Sequence, residues 1–183
     1  MKRMKTLDNN KNQSITTIEA LARKLDNAKK EERGKIIRKL DLLPDSFQEF
    51  ATWSNEGYTR NCILRTDDYE LLLLCWDREA ETPIHGHGGQ DCWVYQIEGT
   101  VNEVRLKPGD NGILKQTHSC NLKPGEISYM NDGMGVHKIV NPAGQRAMTL
   151  HIYAKPIDAC RVFDPKKRQF EIKEMKYDHV VNS

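Results

Sequence analysis

A succession of short strand-like segments, beginning after Gly57, constrains the fold of this chain more than any other feature. Each segment is rich in apolar, β-branched or aromatic residues, and turn-forming residues separate one segment from the next. Short strands at this close spacing are typical of an all-β sandwich or barrel. The sequence therefore predicts a mainly β chain, with strands at Tyr69 to Trp76, Cys92 to Glu98, Val101 to Lys107, Gly112 to Leu122, Ile127 to Met130, His137 to Val140 and Met148 to Tyr153.

The residues before Gly57 have a helical pattern instead. One face of a first helix carries the apolar positions Ile18, Leu21, Ala22 and Leu25. A second helix is predicted from Glu31 to Leu40, and a short helical turn from Phe47 to Trp53. We expect one domain over residues 1–183, with a flexible segment at 1–13, a helical cap at 14–56, a β-barrel at 57–164 and a C-terminal extension at 165–183.

The charge balance and the cysteine pattern exclude several classes of protein. The chain has 28 lysine and arginine residues against 26 aspartate and glutamate residues, and a net charge of +2 argues against a nucleic-acid partner. The longest apolar run, Leu71 to Trp76, is too short to span a bilayer, and the basic N-terminus lacks the apolar stretch of a signal peptide. The five cysteines have no CxxC spacing, so neither a disulfide framework nor a zinc ribbon is indicated. We expect a cytoplasmic protein without a membrane partner.

Two histidines, His85 and His87, stand one residue apart in a glycine-rich segment that follows Pro83. In an extended backbone, side chains at positions i and i+2 point to the same face, so the two imidazoles can share a metal ion. On this pattern alone, two surface histidines in a flexible loop are an equally good interpretation.

A second pattern, downstream, favours the metal site. The order of Pro83, His85, His87, Cys92 and Gly99 resembles the first cupin motif, with cysteine where glutamate is usual, and the segment from Gly125 through His137 to Asn141 resembles the second. The resemblance implies a cupin jelly-roll β-barrel with His137 as the third metal ligand. Three neutral imidazoles without a carboxylate leave the metal with excess positive charge, which an incoming thiolate can balance. We therefore expect an anionic sulfur substrate.

The chain also resembles the cysteine dioxygenases, thiol dioxygenases of the cupin superfamily. Five ordered segments carry the resemblance: Tyr58 to Asn61, Leu74 to Trp76, His85 to His87 with Cys92, Tyr129 to His137, and His151 to Tyr153 followed by Pro156, Asp158, Cys160 and Asp164. The resemblance implies that His85, His87 and His137 bind ferrous iron, Fe(II). It further implies a monomeric enzyme of cysteine catabolism that uses L-cysteine and dioxygen and forms cysteine sulfinic acid.

The same resemblance assigns substrate-binding roles to two residues near the start of the barrel. It implies that Arg60 holds the substrate carboxylate and that Tyr58 supports Arg60. A planar, permanently charged guanidinium suits a carboxylate because it can donate two parallel hydrogen bonds. The simpler interpretation of Arg60 is an exposed arginine paired with a surface carboxylate.

Cys92 and Tyr153 correspond to a pair that forms a thioether crosslink in animal members of the family. The sequence allows this crosslink without showing it, and a buried apolar thiol and a core aromatic ring are the simpler interpretations. The resemblance implies that Tyr153 directs its hydroxyl toward substrate or dioxygen. Because Thr149, His151 and Tyr153 alternate along one strand, they face the same side, and His151 can hydrogen-bond Tyr153.

Two other functions stay open at the level of sequence. A related dioxygenase of 3-mercaptopropionate or another small thiol is one, although such relatives tend to carry glutamine in place of the arginine, so Arg60 favours cysteine. A non-catalytic cupin that binds a metal or a small ligand is the other. Oxygen consumption by the iron-loaded protein separates the enzymes from the binding protein.

Overall fold

The computed structural model of the chain describes residues 14–109, 113–142 and 144–181. The segment predicted to be flexible, residues 1–13, lies outside the described residues. The chain divides into two compact units, Met1–Leu42 and Leu43–Ser183. The single domain with residues 14–56 as its cap stays a prediction.

The described part of the first unit forms two helices, α1 (Ile18–Asp26) and α2 (Lys30–Ile37). The predicted apolar face of α1 is confirmed, because Ile18, Leu21 and Leu25 are buried. Helix α2 ends earlier than predicted. The backbone that follows it bonds to Ile15 instead, through Ile15 N–H to Lys39 (2.8 Å) and Asp41 N–H to Ile15 (2.9 Å).

The second unit consists mainly of strands. They are β1 (Tyr58–Arg65), β2 (Glu70–Trp76), β3 (Cys92–Glu98), β4 (Val101–Pro108), β5 (Leu114–Leu122), β6 (Ile127–Met130), β7 (Val136–Val140), β8 (Ala147–Tyr153), β9 (Ala159–Asp164), β10 (Gln169–Glu174) and β11 (His179–Val180). Single 3-10 turns lie at Pro44–Phe47 and Asp132–Met134. The first of these begins earlier than the turn predicted from Phe47 to Trp53, because the fixed φ of Pro44 suits the first position of a helical turn. All seven predicted strands are present: two have the predicted ends, four differ by one residue at one end, and for the remaining one the predicted start at Gly112 lies outside the described residues.

The strands form three sheets. The largest has the order β11-β1-β2-β8-β3-β6, a second has the order β5-β4-β7, and β9 pairs with β10. All strand pairs are antiparallel except β1 with β11, which are parallel. Every residue of β2 and β8 is buried, so these two strands form the centre of the largest sheet and of the core. The structure thus confirms a mainly β chain with a small helical segment.

Backbone pairing also holds the connection between β2 and β3, which carries His85 and His87. His85 forms isolated bridges to His137 on β7 and to Val162 on β9. The N–H of His85 donates to the carbonyl of His137 at 2.9 Å, and the N–H of His137 donates back at 3.0 Å. The loop is therefore tied to two strands at the point where the histidines stand. In the described residues no helix is long and apolar enough to cross a membrane, and all five cysteines are free thiols.

Candidate active site

The structure brings the three histidines of the sequence prediction together. One ligand atom from each of His85, His87 and His137 lies within 4.8 Å of the others. The ring centroid of His137 is 4.7 Å from that of His85 and 4.7 Å from that of His87. His87 and His137 are buried, and His85 is partly exposed. Such a set of three nitrogen donors could hold a metal ion and leave further coordination positions open.

The ring nitrogens of these histidines fit metal binding. In His85, Nδ1 donates to the carbonyl of Pro83 at 2.9 Å, which leaves Nε2 with its lone pair. In His137, Nδ1 donates to Glu103, and the buried Nε2 has no hydrogen-bond partner among the described residues. Nδ1 of His87 is likewise buried without a described partner. Burial lowers the pKa of His85 to about 3 and that of His87 well below its usual value, so both rings are neutral ligands near neutral pH.

A buried carboxylate behind His137 is the main residue that the sequence analysis missed. Glu103, on β4, is fully buried, and its Oε1 lies 2.7 Å from Nδ1 of His137. Its Oε2 accepts hydrogen bonds from Ser128 Oγ and from Nε and Nη2 of Arg105, at 3.1 and 2.8 Å. Burial alone would raise the pKa of Glu103, but the hydrogen bonds from His137, Ser128 and Arg105 outweigh it and lower the pKa to about 2. Glu103 therefore supplies the negative charge that the three imidazoles lack, and it does so through its hydrogen bond to His137.

The signal for Glu103 is present in the sequence. Val101 and Glu103 are alternate residues of one predicted strand, and Val101 belongs to the buried face. A glutamate on the buried face of a strand is rare unless it is paired. Its partner could not be read from the sequence, because His137 lies on β7, far along the chain.

A second carboxylate holds the histidine loop. Asp132 accepts a hydrogen bond from the N–H of His87 at 2.7 Å and another from the N–H of Gly89 at 3.0 Å. Gly86, between the two histidines, is tightly packed, since a Cβ there would lie 2.7 Å from Nε of Arg161. The sequence motif around Asp132 does not by itself indicate this role.

A small cavity, of about 50 Å³, lies beside the histidines. Its polar wall consists of Tyr58, Arg60, His85, His87, His151 and Tyr153, and its apolar wall includes Leu74, Ile157, Val162 and Met175. The predicted substrate-binding residues therefore share one cavity with two of the histidines. Tyr58 packs on Trp76, with ring centroids 5.0 Å apart, which fixes that end of the cavity.

Cys92 and Tyr153 lie directly opposite each other on neighbouring strands. They are partners in the antiparallel register of β3 and β8, so their side chains share one face of the sheet. Cys92 is completely buried, and Tyr153 is 7% exposed. Burial raises the pKa of Cys92 well above 9.0 and that of Tyr153 well above 10.0, so both groups hold their protons near neutral pH. The sequence could place them only by resemblance, whereas the strand register places them by geometry.

The predicted row of Thr149, His151 and Tyr153 forms a chain of hydrogen-bonding contacts along β8. The Tyr153 hydroxyl lies 3.4 Å from Nδ1 of His151, and Nε2 of His151 lies 3.0 Å from Oγ1 of Thr149. Trp76 extends the chain, because its Nε1–H donates to Thr149 Oγ1 at 2.8 Å. Burial lowers the pKa of His151 well below its usual value, so this ring is neutral.

Comparisons with known proteins identify the family of this chain. The family model described as cysteine dioxygenase type I matches residues 4–166. Cysteine dioxygenase type 1 of Homo sapiens is 27% identical over 146 residues, which cover 77% of this chain and 72% of the human protein. The protein of the same name from Danio rerio is 26% identical over 146 residues, which cover 77% of this chain and 73% of the zebrafish protein.

Solved structures that are similar to the chain include two bacterial proteins. A conserved Klebsiella pneumoniae protein with a double-stranded β-helix domain has a TM-score of 0.49 and 22% identity, and the match covers 71% of this chain and 96% of that protein. An RmlC-like cupin protein from Desulfovibrio desulfuricans has a TM-score of 0.45 and 14% identity, with coverage of 60% and 93%. The family model, by contrast, spans most of the sequence and includes all three histidines, Arg60 and Tyr153. The predicted family membership, and with it the predicted cupin barrel, is confirmed. The chain belongs to the cysteine dioxygenase type I family.

Proposed function

We propose that this protein is an iron(II)-dependent dioxygenase that oxidises the thiol of L-cysteine to cysteine sulfinic acid with both atoms of dioxygen. One observation carries the proposal: the Arg60 guanidinium and the His85 and His87 imidazoles line the same small cavity. A short amino-acid thiol has a thiol at one end, which a metal ion can bind, and a carboxylate at the other end, which an arginine can bind. Membership of the cysteine dioxygenase type I family supports the same reaction.

Arg60 would bind the substrate carboxylate. Its guanidinium stays charged when it leaves water and can donate two parallel hydrogen bonds to a carboxylate. The apolar side chains around it exclude water and strengthen this interaction. The small size of the cavity favours a short substrate over a bulky one.

Ferrous iron fits the site because His85, His87 and His137 present neutral nitrogens and Glu103 balances part of the positive charge. When bound, ferrous iron supplies the redox chemistry that allows dioxygen to react with a thiolate. Glu103 would keep Nδ1 of His137 protonated, so that Nε2 faces the metal in a fixed orientation.

Tyr153 would donate a hydrogen bond to the reacting atoms. Because the indole N–H of Trp76 can only donate, Thr149 accepts it and can pass its own hydroxyl proton to Nε2 of His151. Neutral His151 then carries its proton on Nδ1 and donates it to the oxygen of Tyr153. In this arrangement the hydroxyl proton of Tyr153 is free to point into the cavity, and the raised pKa keeps that proton in place.

We further propose that Cys92 and Tyr153 form a thioether crosslink. A bond would form between Cys92 Sγ and a ring carbon of Tyr153, with loss of the thiol hydrogen and one ring hydrogen as two protons and two electrons, and dioxygen would accept the electrons. The opposed positions on β3 and β8 support this pairing. The bond would fix the orientation of the Tyr153 ring beside the cavity.

We also place this activity in the cytoplasm, as part of cysteine catabolism. Five free thiols, four of them buried, fit a reducing compartment. The monomeric state stays a prediction from the family resemblance.

Oxygen uptake by the ferrous protein with L-cysteine, together with the mass of the product, tests the proposal. We expect a product two oxygen atoms heavier than cysteine. The change Arg60→Ala should lower kcat/KM by about 10- to 100-fold, since a hydrogen-bonded charge contributes about 1.5–3 kcal/mol. Arg146→Ala is the matched control, because Arg146 is an exposed arginine that stacks on Trp53 and pairs with Asp77.

Three other outcomes would contradict the proposal. Uptake with 3-mercaptopropionate but not with cysteine would assign the related specificity. Binding of thiols to the iron-loaded protein without oxygen uptake would indicate a non-catalytic cupin. Full activity of the Arg60→Ala protein would refute the carboxylate-binding role of Arg60.

A further inference from the structure

Residues 178–181 lie against the strand that carries Arg60. Strand β11 pairs in parallel with β1, with His179 opposite Asn61 and Val180 opposite Cys62. The sequence analysis treated this stretch only as an extension of the barrel. Residues 175–181 are called the C-terminal segment below.

Asp178 in this segment satisfies both backbone polar groups of Arg60. The N–H of Arg60 donates to Oδ2 of Asp178 at 2.8 Å, and the N–H of Asp178 donates to the carbonyl of Arg60 at 2.9 Å. Three residues after Asp178, the N–H of Val181 donates to the carbonyl of Cys62 at 3.1 Å. The backbone position of Arg60 therefore depends on the C-terminal segment.

Tyr177 in the same segment contacts the Arg60 side chain. The guanidinium carbon of Arg60 lies 5.9 Å from the centroid of the Tyr177 ring, within the range of a cation–π interaction. A ring against one side of a long, flexible side chain restricts the positions that its guanidinium can occupy. Arg60 would then meet a carboxylate in a defined orientation.

The Tyr177 ring is itself held by an ion pair between the buried Glu70 and the exposed Arg65. Its hydroxyl donates to Oε1 of Glu70, whose side chain is fully buried, and accepts a hydrogen bond from Nη1 of Arg65. Nη2 of Arg65 also donates a hydrogen bond to Oδ1 of Asp158 at 2.6 Å. Burial, together with the hydrogen bond to Glu70, raises the pKa of Tyr177 to about 12, so the hydroxyl remains a donor.

The segment also reaches the cavity directly. Met175 lines the cavity, and its N–H donates to the carbonyl of Asp158 at 2.8 Å. The C-terminal segment is thus fixed at Met175, Tyr177, Asp178 and Val181, and it contacts both the cavity and the strand of Arg60.

We propose that Tyr177 is a positioning residue for Arg60, so that recognition of the substrate carboxylate depends on the C-terminal segment. This inference rests on the proposed function and extends it from Arg60 to the residue behind Arg60. Tyr177 acts through Arg60 and does not touch the thiol end of the substrate. Its loss should therefore weaken binding of substrates that carry a carboxylate and leave the oxidation step intact.

Steady-state kinetics of the ferrous enzyme with cysteine test the proposal. Tyr177→Leu removes the ring and the hydroxyl, whereas Tyr177→Phe keeps the ring. We expect the leucine variant to raise KM for cysteine by about 3- to 30-fold, the range that a cation–π contact implies, with kcat within about twofold of wild type. The phenylalanine variant should lie closer to wild type. Lys176→Ala, an exposed neighbour, is the matched control and should leave KM unchanged.

A second ligand separates positioning from general damage. Cysteamine has the thiol and the amine of cysteine but no carboxylate, so its inhibition constant against cysteine oxidation should be the same in wild type and Tyr177→Leu. A KM for cysteine within twofold of wild type would overturn the proposal. Equal weakening of cysteine and cysteamine would overturn it too, because that result would show damage to the whole cavity.

The test does not depend on one variant. If Tyr177→Leu does not fold, Glu70→Gln, which keeps the size of Glu70 but weakens the anchor of the Tyr177 hydroxyl, should show a smaller rise in KM for cysteine and no change for cysteamine. An unchanged KM in that variant would overturn the proposal. A wild-type protein that oxidises no cysteine would overturn the proposed function itself, and this result would be known before any variant is made.

Discussion

Replacing Glu103 with glutamine keeps the shape of the side chain but removes the negative charge behind His137. In the structure, Oε1 accepts from His137, and Oε2 accepts from Ser128 and Arg105. The glutamine NH₂ must take the place of one of these oxygens, so a donor will face a donor. Either His137 loses the acceptor that fixes its tautomer, or Arg105 and Ser128 lose theirs. Each lost hydrogen bond to a charged group costs about 1.5–3 kcal/mol of stability.

We expect Glu103→Gln to bind ferrous iron about 10- to 100-fold more weakly than wild type, the range typical of residues that orient a metal-binding histidine. The assay is an anaerobic titration of the apoprotein with ferrous iron against a competing chelator, followed by urea denaturation of the same samples. Glu98→Gln is the control, because Glu98 is an exposed residue at the end of β3. Iron affinity within twofold of wild type, with unchanged stability, would refute the argument that Glu103 supplies the missing charge.

Two further predictions concern pH and covalent structure. The pKa values of His85, His87 and His151 are all lowered in the folded apoprotein, so the unfolded chain binds protons first as pH falls below 6.5. The free energy of unfolding of the apoprotein should therefore fall when the pH is lowered from 7 to 5, by up to about 1.4 kcal/mol per pH unit for each histidine. Equal stability at both pH values in guanidinium denaturation would contradict this prediction. Secondly, wild-type protein incubated with iron, cysteine and dioxygen should lose two hydrogen atoms, as measured by intact mass spectrometry. The Cys92→Ser variant should keep its calculated mass. A wild-type protein that never loses the two hydrogen atoms would show that Cys92 and Tyr153 stay separate.

The sequence predicts the strands and the histidines well, because both depend on local spacing. The i, i+2 spacing of His85 and His87 is a property of neighbouring residues, and a strand such as β8 has a continuous apolar pattern. Strands β1 and β9 were not delimited, since their exposed and buried residues are mixed. Strand β1 even buries Asn61, and its side-chain amide is satisfied by bonds to the carbonyl of Leu73 at 3.2 Å and to Thr59 Oγ1 at 3.1 Å.

The residues that support the site could not be found in this way. Glu103 meets His137 because β4 pairs with β7, and Tyr177 meets Arg60 because the chain returns to β1 at β11. Both contacts join residues far apart in sequence, and nothing in local spacing specifies which strands become neighbours. The residues of a short motif can therefore be predicted from the sequence. The charged and aromatic residues that support them depend on which strands become neighbours in the sheets.

The mutual backbone bonds of His85 and His137 hold these two candidate metal ligands beside each other as part of the fold itself. The entropy of ordering these residues, about 1–2 kcal/mol each, is lost during folding and not during metal uptake. A metal bound by these histidines, iron in our proposal, would therefore enter a site whose main chain is already ordered. Its removal by a chelator should then be reversible, without unfolding of the barrel.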